Sequence, residues 1–303
     1  MNKFAFSARH CAWLAAVAIV AACSTVPVNL PSVTEQPTNN RLPGKIIWHD
    51  LLTDKPAESQ RFYEELFGWE FERIGPNFGA IASANYTLIR HNGRLIGGMI
   101  DEARLNTTEE ISQWIALMST ADIDAAVAKL TQAGGKVFTP PTDLADRGRI
   151  AVVNDPQGAV FALLETRDGD PADAEPAIND FLWNEVWSDD VDAATAFYSE
   201  LAGLDSVDKA VSGDSAYRYL ADDDTPRFGI MRKPVEGLTP LWATYIRVAD
   251  PAAIVARVEE LGGRVLLDAN DRPAGGKVAL IEGPSGAGIA LQTWEPPEDR
   301  AGN

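Results

Sequence analysis

The chain has 303 residues, 46% of them apolar and 23% charged, with a formal charge of −18 at pH 7. So large a negative excess argues against contacts to a phosphate backbone, and nucleic acid is excluded as a partner. The two cysteines, Cys11 and Cys23, offer no disulfide framework, so stability must come from a core; roughly 250 positions can supply one large or two ordinary domains.

The first nine residues are polar and basic, with Lys3 and Arg9, and Ala12 to Ala22 is uninterruptedly apolar. This is the plan of a signal peptide, too short for the roughly 20 apolar residues of a membrane span. Val20-Ala21-Ala22-Cys23 resembles a bacterial lipobox. Residues 1–22 are therefore expected to be removed and Cys23 acylated, which makes the membrane a partner through two acyl chains. Removal of Lys3 and Arg9 makes the chain two charges more negative still. Ser24 after the cysteine points to an outer-membrane destination, within the cell envelope and facing the periplasm. Residues 23–43, with Pro27, Pro31, Pro37 and Pro43, read as a solvated tether.

Beyond the tether the chain repeats. Trp48, Phe62-Tyr63, Leu66 and Gly68 recur as Trp183, Phe197-Tyr198, Leu201 and Gly203, at a constant offset of 135. A second block, Trp114, Asp122, Gly134-Gly135, Arg149, Pro156 and Gly158-Ala159, recurs as Trp242, Asp250, Gly262-Gly263, Lys277, Pro284 and Gly286-Ala287, at an offset of 128. The segmentation expected is a first domain over 44–167, a linker over 168–178, a second domain over 179–296 and a tail over 297–303.

Each half subdivides again. Ile46 to Leu52 is a β-prone run; Thr53 or Asp54 can cap a helix with Pro56 in its first turn, Phe62, Tyr63 and Leu66 on its apolar face and Gly68 as its stop. Ile115 to Met118 is the next strand, followed by a helix stripe of Ile123, Val127 and Leu130 that Gly134-Gly135 closes. Trp242 to Val248, the cap Asp250 with Pro251, and Ile254, Val258 and Leu261 repeat the pattern. Short alternating runs follow the helices, as at Tyr86 to Arg90, Ile150 to Val153 and Phe161 to Leu164. Four βαβββ modules result, an α+β architecture.

The helix signature ending Phe-Tyr-x2-Leu-x-Gly at Lys55 to Gly68 and Asp190 to Gly203, with Asp-Pro-x-Gly-Ala-x-Phe at Asp155 to Phe161, resembles the vicinal oxygen chelate superfamily. That superfamily includes glyoxalase I, bleomycin-resistance proteins and extradiol dioxygenases. The resemblance covers about Gly44 to Pro296 and implies that modules pair edge to edge into curled sheets, giving two cups. It also implies a divalent ion on His or Glu ligands from the first and last strand of each module, acting as a Lewis acid or an oxygen-activating centre. Here those positions fall on Trp48, Ile115 or Ala116, Ala162, Trp183, Ala243 and Ala290, so no metal site and no cofactor is expected. His49 is sent by strand alternation to the helix side if Trp48 faces the cup, and His91, before Asn92-Gly93, falls in a hairpin turn.

The same parity puts Trp48, Asp50 and Leu52 in the first cup and Trp183, Glu185 and Trp187 in the second, joined there by Tyr245 and Arg247. A carboxylate beside an indole could be a general base, a metal ligand or an acceptor for a bound molecule; it could equally be paired with a basic neighbour, for which Arg149 and Arg247 are candidates. The facing of Tyr86 and Tyr217 is left open by the pattern. Aromatic walls with few polar points suit a small-molecule pocket. The leading expectation is an envelope-anchored protein that binds a small molecule in aromatic-lined cups without the usual metal. Two alternatives stand beside it: a metal-dependent lyase, isomerase or dioxygenase with atypical carboxylate ligands, and an envelope interaction module that uses the fold as scaffold.

Overall fold

The structure is a computed structural model that describes residues 30–74, 86–105, 111–209, 217–271 and 276–294. The expected signal segment, Cys23 with its acylation, and the tail at 297–303 lie outside the described residues. No helix among the described residues is long and apolar enough to cross a membrane.

Two mixed eight-stranded sheets form, one from each half. The first half runs β1 (Ile46–Thr53), α1 (Pro56–Phe67), β2 (Glu70–Arg73), β3 (Tyr86–His91) and β4 (Arg94–Asp101), then β5 (Gln113–Ser119), α2 (Ile123–Gln132), β6 (Lys136–Asp143), β7 (Gly148–Asn154) and β8 (Val160–Thr166). The second half runs β9 (Phe181–Ser188), α3 (Val191–Ala202), β10 (Asp205–Lys209), β11 (Tyr217–Asp222) and β12 (Thr225–Arg232), then β13 (Leu241–Arg247), α4 (Pro251–Val258), β14 (Arg264–Asp271), β15 (Lys277–Glu282) and β16 (Gly288–Gln292). Strand order is β2-β3-β4-β1-β5-β8-β7-β6, repeated as β10-β11-β12-β9-β13-β16-β15-β14. The modules of each half meet through the first strand of each, β1 against β5 and β9 against β13, both antiparallel. The four βαβββ modules and two curled-sheet domains are thus present as expected.

Local chemistry explains the elements. Helix α1 starts at Pro56, whose missing N–H costs nothing in a first turn, and stops at Gly68, which takes the left-handed conformation at φ 70° and donates its N–H to Glu64 O. The cap expected at Thr53 or Asp54 takes another form. The N-cap position is Lys55, without a side-chain cap, while the Thr53 hydroxyl accepts from Lys55 N at 3.0 Å. Helices α2, α3 and α4 are capped by Asp122, Asp190 and Asp250 carboxylates on Ala125, Ala193 and Ala252 N–H groups.

The helix-bearing faces of the two sheets pack on each other. Phe62, Tyr63, Trp69 and Trp114 of the first half share one core with Ile246, Val258 and Ile281 of the second. Met118, Leu130 and Phe161 share another with Val186, Tyr198 and Trp242. The tyrosine of each Phe-Tyr pair does polar work here: Tyr63 OH accepts from Trp114 Nε1 at 3.1 Å, and Tyr198 OH accepts from Trp242 Nε1 at 3.0 Å and donates to Asp155 Oδ2, across the domain boundary, at 3.0 Å. Burial at this interface pushes the Asp155 carboxyl and both phenols above their ordinary values. With the convex faces spent on each other, the concave faces remain as the two cups.

One expectation is overturned. The segment read as a solvated tether folds back over residues 30–43. Leu30 and Val33 are only 5% and 4% exposed and belong to the core of the first cup. Leu30 N bonds Leu144 O at 3.2 Å, and further along Leu42 N bonds the buried Asp170 carboxylate at 2.6 Å. Isolated apolar residues among prolines carry no periodicity, so this packing leaves no mark in the pattern. The first domain accordingly starts at or before Leu30 and not at 44. The linker is also tied down, with Asp170 accepting from Ser119 Oγ at 2.5 Å and Thr166 Oγ1 at 2.9 Å.

Candidate functional site: two cups with the same floor

Trp48 and Asp50 on β1 point into the first cup, as the alternation of a strand requires. Trp48 Nε1 donates to Asp50 Oδ1 at 2.9 Å and to Tyr86 OH at 2.9 Å, and Tyr86 OH donates to the same carboxylate oxygen at 2.6 Å. Tyr86 therefore faces inward. Burial pushes the Asp50 carboxyl above its ordinary range, against the pull of the Arg147 charge and the bonds from Tyr86 and Trp48. Burial likewise raises the Tyr86 phenol.

Arg147 is the residue that the sequence pattern missed. It is 1% exposed, its guanidinium lies 4.3 Å from the Trp48 ring centroid and 5.1 Å from that of Tyr86, and Nη1 donates to Tyr86 OH at 2.6 Å. Arg149, one of the two candidates for a basic partner of the cup acids, lies outside the cup and pairs with Asp124 at 2.7 Å. Gly148, between these two arginines at φ 112°, breaks the alternation that would put both on one face.

The second cup repeats the floor with different support. Trp183 Nε1 donates to Tyr217 OH at 3.0 Å, and Tyr217 OH donates to Glu185 Oε1 at 3.0 Å. Glu185 Oε2 accepts from Tyr245 OH at 2.5 Å and from Trp187 Nε1 at 3.3 Å. Tyr245 and Trp187 occupy the places of Leu117 and Leu52, so this acid is held by more ring donors than its counterpart. Arg247, expected beside Glu185, instead pairs with Glu175 at 2.8 Å, donates to Pro176 O at 2.5 Å and lies over Trp294 at 5.0 Å.

Close approach to the floor explains two glycines. A Cβ on Gly98, which pairs with Asp50, would lie 2.0 Å from Tyr86 OH and 2.6 Å from Asp50 Oδ1. On Gly229, which pairs with Glu185, it would lie 2.5 Å from Tyr217 OH.

The cups differ in cover. In the first, Trp48, Tyr86, Ile150 and Val152 are all buried, beneath Leu30 and Val33. In the second, the equivalent Trp183, Tyr217, Val278 and Leu280 are all partly exposed, as are Met231, Leu238 and Leu241 around them. The cover cannot be copied by the linker, because Asp170 fastens that segment to the first domain. A separate recess of about 430 Å³ lies away from both floors, between the 33–38 segment, the linker and the start of β1.

A divalent ion does not fit either floor. Trp48 pairs with Leu117, Leu117 with Ala162, Trp183 with Tyr245 and Tyr245 with Ala290, so Leu117 and Tyr245 stand in the row where Ile115 or Ala116 and Ala243 were expected, and that row offers indole, aliphatic and phenol groups. His49 cannot join Asp50: it lies on the opposite face of β1, stacked on Phe181 at 3.9 Å, with Nε2 on Asn184 Oδ1 at 3.0 Å. His91 ends β3 ahead of the Asn92-Gly93 turn, with Nδ1 2.6 Å from Asp180 Oδ1. No three His, Cys, Asp or Glu side chains among the described residues gather as a metal site.

Fold and floor define a tandem pair of curled-sheet cups, each built from two βαβββ modules. The family model of the Glyoxalase/Bleomycin resistance protein/Dioxygenase superfamily matches residues 45–163, and that of a glyoxalase-like domain matches residues 185–291. The anthracycline biosynthesis protein DnrV of Streptomyces peucetius is 31% identical over 265 residues, covering 82% of this chain and 93% of that one. The putative glyoxylase CFP32 of Mycobacterium bovis is 29% identical over 241 residues, covering 79% and 91%. The chain belongs to the glyoxalase/bleomycin resistance/dioxygenase superfamily. In fold it is similar to the Mn(II)-bound glyoxalase from Novosphingobium aromaticivorans (TM-score 0.56, 15% identity, 84% and 83% covered) and to a catechol 2,3-dioxygenase (TM-score 0.53, 15% identity, 85% and 90% covered).

Proposed function

We propose that this is an envelope-anchored binding protein whose second cup takes a small, planar, ring-bearing molecule without a divalent metal. The observation that carries the reading is the second floor: a fully buried Glu185 held by Tyr217, Tyr245 and Trp187, under partly exposed Trp183, Met231 and Leu280. Rings and aliphatic walls supply apolar area, and fixed polar groups at the base supply orientation. The relative named for anthracycline biosynthesis, a class of planar polycyclic compounds, is in keeping with this. Anchoring rests on the Val20 to Cys23 pattern, and metabolic labelling with tritiated palmitate that survives Cys23→Ser would remove it.

Tryptophan quenching against a panel of planar aromatic compounds tests the cup. Saturable quenching in the parent and at least a tenfold loss of affinity in Trp183→Ala and Tyr245→Phe are expected. Unchanged binding in Trp183→Ala would refute the reading. Added Zn, Ni, Mn or Fe is expected to leave both affinity and melting temperature where they were; a stoichiometric ion that raises both would favour the metal-dependent enzyme alternative.

A further inference from the structure

We infer that the first cup is itself a binding site, for a carboxylate with an apolar body, and that the chain's own residues 30–33 are its present occupant. The two floors share a tryptophan, an acid and a tyrosine at equivalent positions, yet among the described residues the second is partly exposed while the first is filled by Leu30 and Val33. The segment sits as a ligand would. Its apolar side chains lie in the core of the cup, and its Pro31 carbonyl accepts from Arg147 Nε at 3.0 Å.

The fit is incomplete at one atom. Arg147 Nη1 is spent on Tyr86 and Nε on Pro31, but Nη2 is buried with no hydrogen-bond partner among the described residues. Nε and Nη2 form one edge of the guanidinium plane, and a carboxylate meets that edge with two parallel bonds, whereas the Pro31 carbonyl takes only the Nε donor. A buried donor left unmade is costly, so an occupant with two coplanar oxygens is better matched to this cup than the segment that fills it. The Trp48 and Tyr86 faces against Arg147 then favour a flat body beside the acid group. At the repeat offset of 128 the sequence has Gly275 where the first half has Arg147.

The test uses the full chain with 2-naphthoate as probe and 2-naphthylmethanol as its neutral control, in a Trp183→Ala background so that second-cup binding does not contribute. Leu30→Asn/Val33→Asn, which loosens the occupant, is expected to tighten naphthoate binding at least tenfold; Arg147→Lys, which keeps the charge and loses the two-pronged edge, is expected to weaken it at least tenfold. The alcohol should bind at least tenfold more weakly than the acid. In protein with residues 30–33 intact, naphthoate should speed hydrogen exchange at the Leu30 amide, a readout that does not depend on how well the loosened variant folds. Equal binding of acid and alcohol, or an unchanged Leu30 exchange rate at saturating naphthoate, would overturn the inference and leave the second-cup reading untouched.

Discussion

His49 and Asn184 stand 135 residues apart, at equivalent positions of the two halves, and hydrogen-bond each other at 3.0 Å. A pseudo-twofold axis therefore passes between them, and the duplicated chain has two different residues where one repeated residue would meet its own copy. Burial lowers the His49 pKa from 6.5 to about 4, partly offset by the bond that His49 Nε2 donates to Asn184 Oδ1.

That shift gives a pH prediction. The folded pKa lies below the unfolded one, so between about pH 6.5 and 4 the unfolded chain binds the extra proton. Stability is intact above pH 6.5 and declines as pH falls towards 4, by about 3 kcal/mol at 1.36 kcal/mol per pH unit. Asp50 and Asp155 work in the opposite sense, because their raised values favour the folded state as they protonate. Urea titrations of the parent and of His49→Gln between pH 7.5 and 4.5 isolate the histidine. The difference between them should shrink on acidification, and a constant difference would remove His49 as its source.

The uneven cover of the cups predicts uneven costs for the same substitution. Trp48 is 1% exposed and gives its N–H to both Asp50 and Tyr86, so Trp48→Ala should cost about 4 kcal/mol. Trp183 is partly exposed and gives its N–H to Tyr217, and Trp183→Ala should cost about 1–2 kcal/mol. Chemical denaturation of both variants checks the ranking, which equal costs would contradict.

Module order, the repeat and the inward parity of Trp48, Asp50, Trp183, Glu185, Trp187 and Tyr245 were legible because strands alternate with period two and the duplication supplies two independent registers. What stayed hidden follows from physics with no local period. Arg147 reaches the first cup through an irregular turn, two residues from the arginine that the repeat made conspicuous. Leu30 and Val33 are single apolar residues whose burial depends on a partner surface far along the chain. The domain interface was hidden as well, since a helix stripe does not say which half will cover it.

Gly98 and Gly229 give a paired prediction of their own. Each added Cβ collides with a tyrosine hydroxyl on the cup floor, but Tyr86 is buried under residues 30–33 while Tyr217 is partly exposed. Tyr217 can swing towards solvent, and Tyr86 cannot without expelling Leu30. Gly98→Ala should therefore cost about 2–3 kcal/mol and Gly229→Ala under about 1 kcal/mol, with the latter also weakening ligand binding in the second cup. Thermal melts together with the quenching assay separate these effects; a larger stability loss at Gly229 would show that the two floors are not covered as described.

Truncation tests where the first domain begins. Removal of residues 1–29 leaves Leu30, Val33 and Leu42 in place and serves as the reference for the longer truncation. Removing residues 1–43 strips Leu30 and Val33 from the first core, frees Arg147 Nε and uncovers the Asp170 carboxylate that Leu42 N occupies. Two buried aliphatic side chains are worth about 1.5–3 kcal/mol each, so the loss should be about 3–6 kcal/mol, or about 10–20 °C for a body of this size. Because no hydrogen bond or ion pair among the described residues joins that segment to the second floor, its ligand affinity should survive the longer truncation as long as the domain remains folded. Equal melting temperatures for the two truncations would return residues 30–43 to the role of a tether and leave the first cup as open as the second.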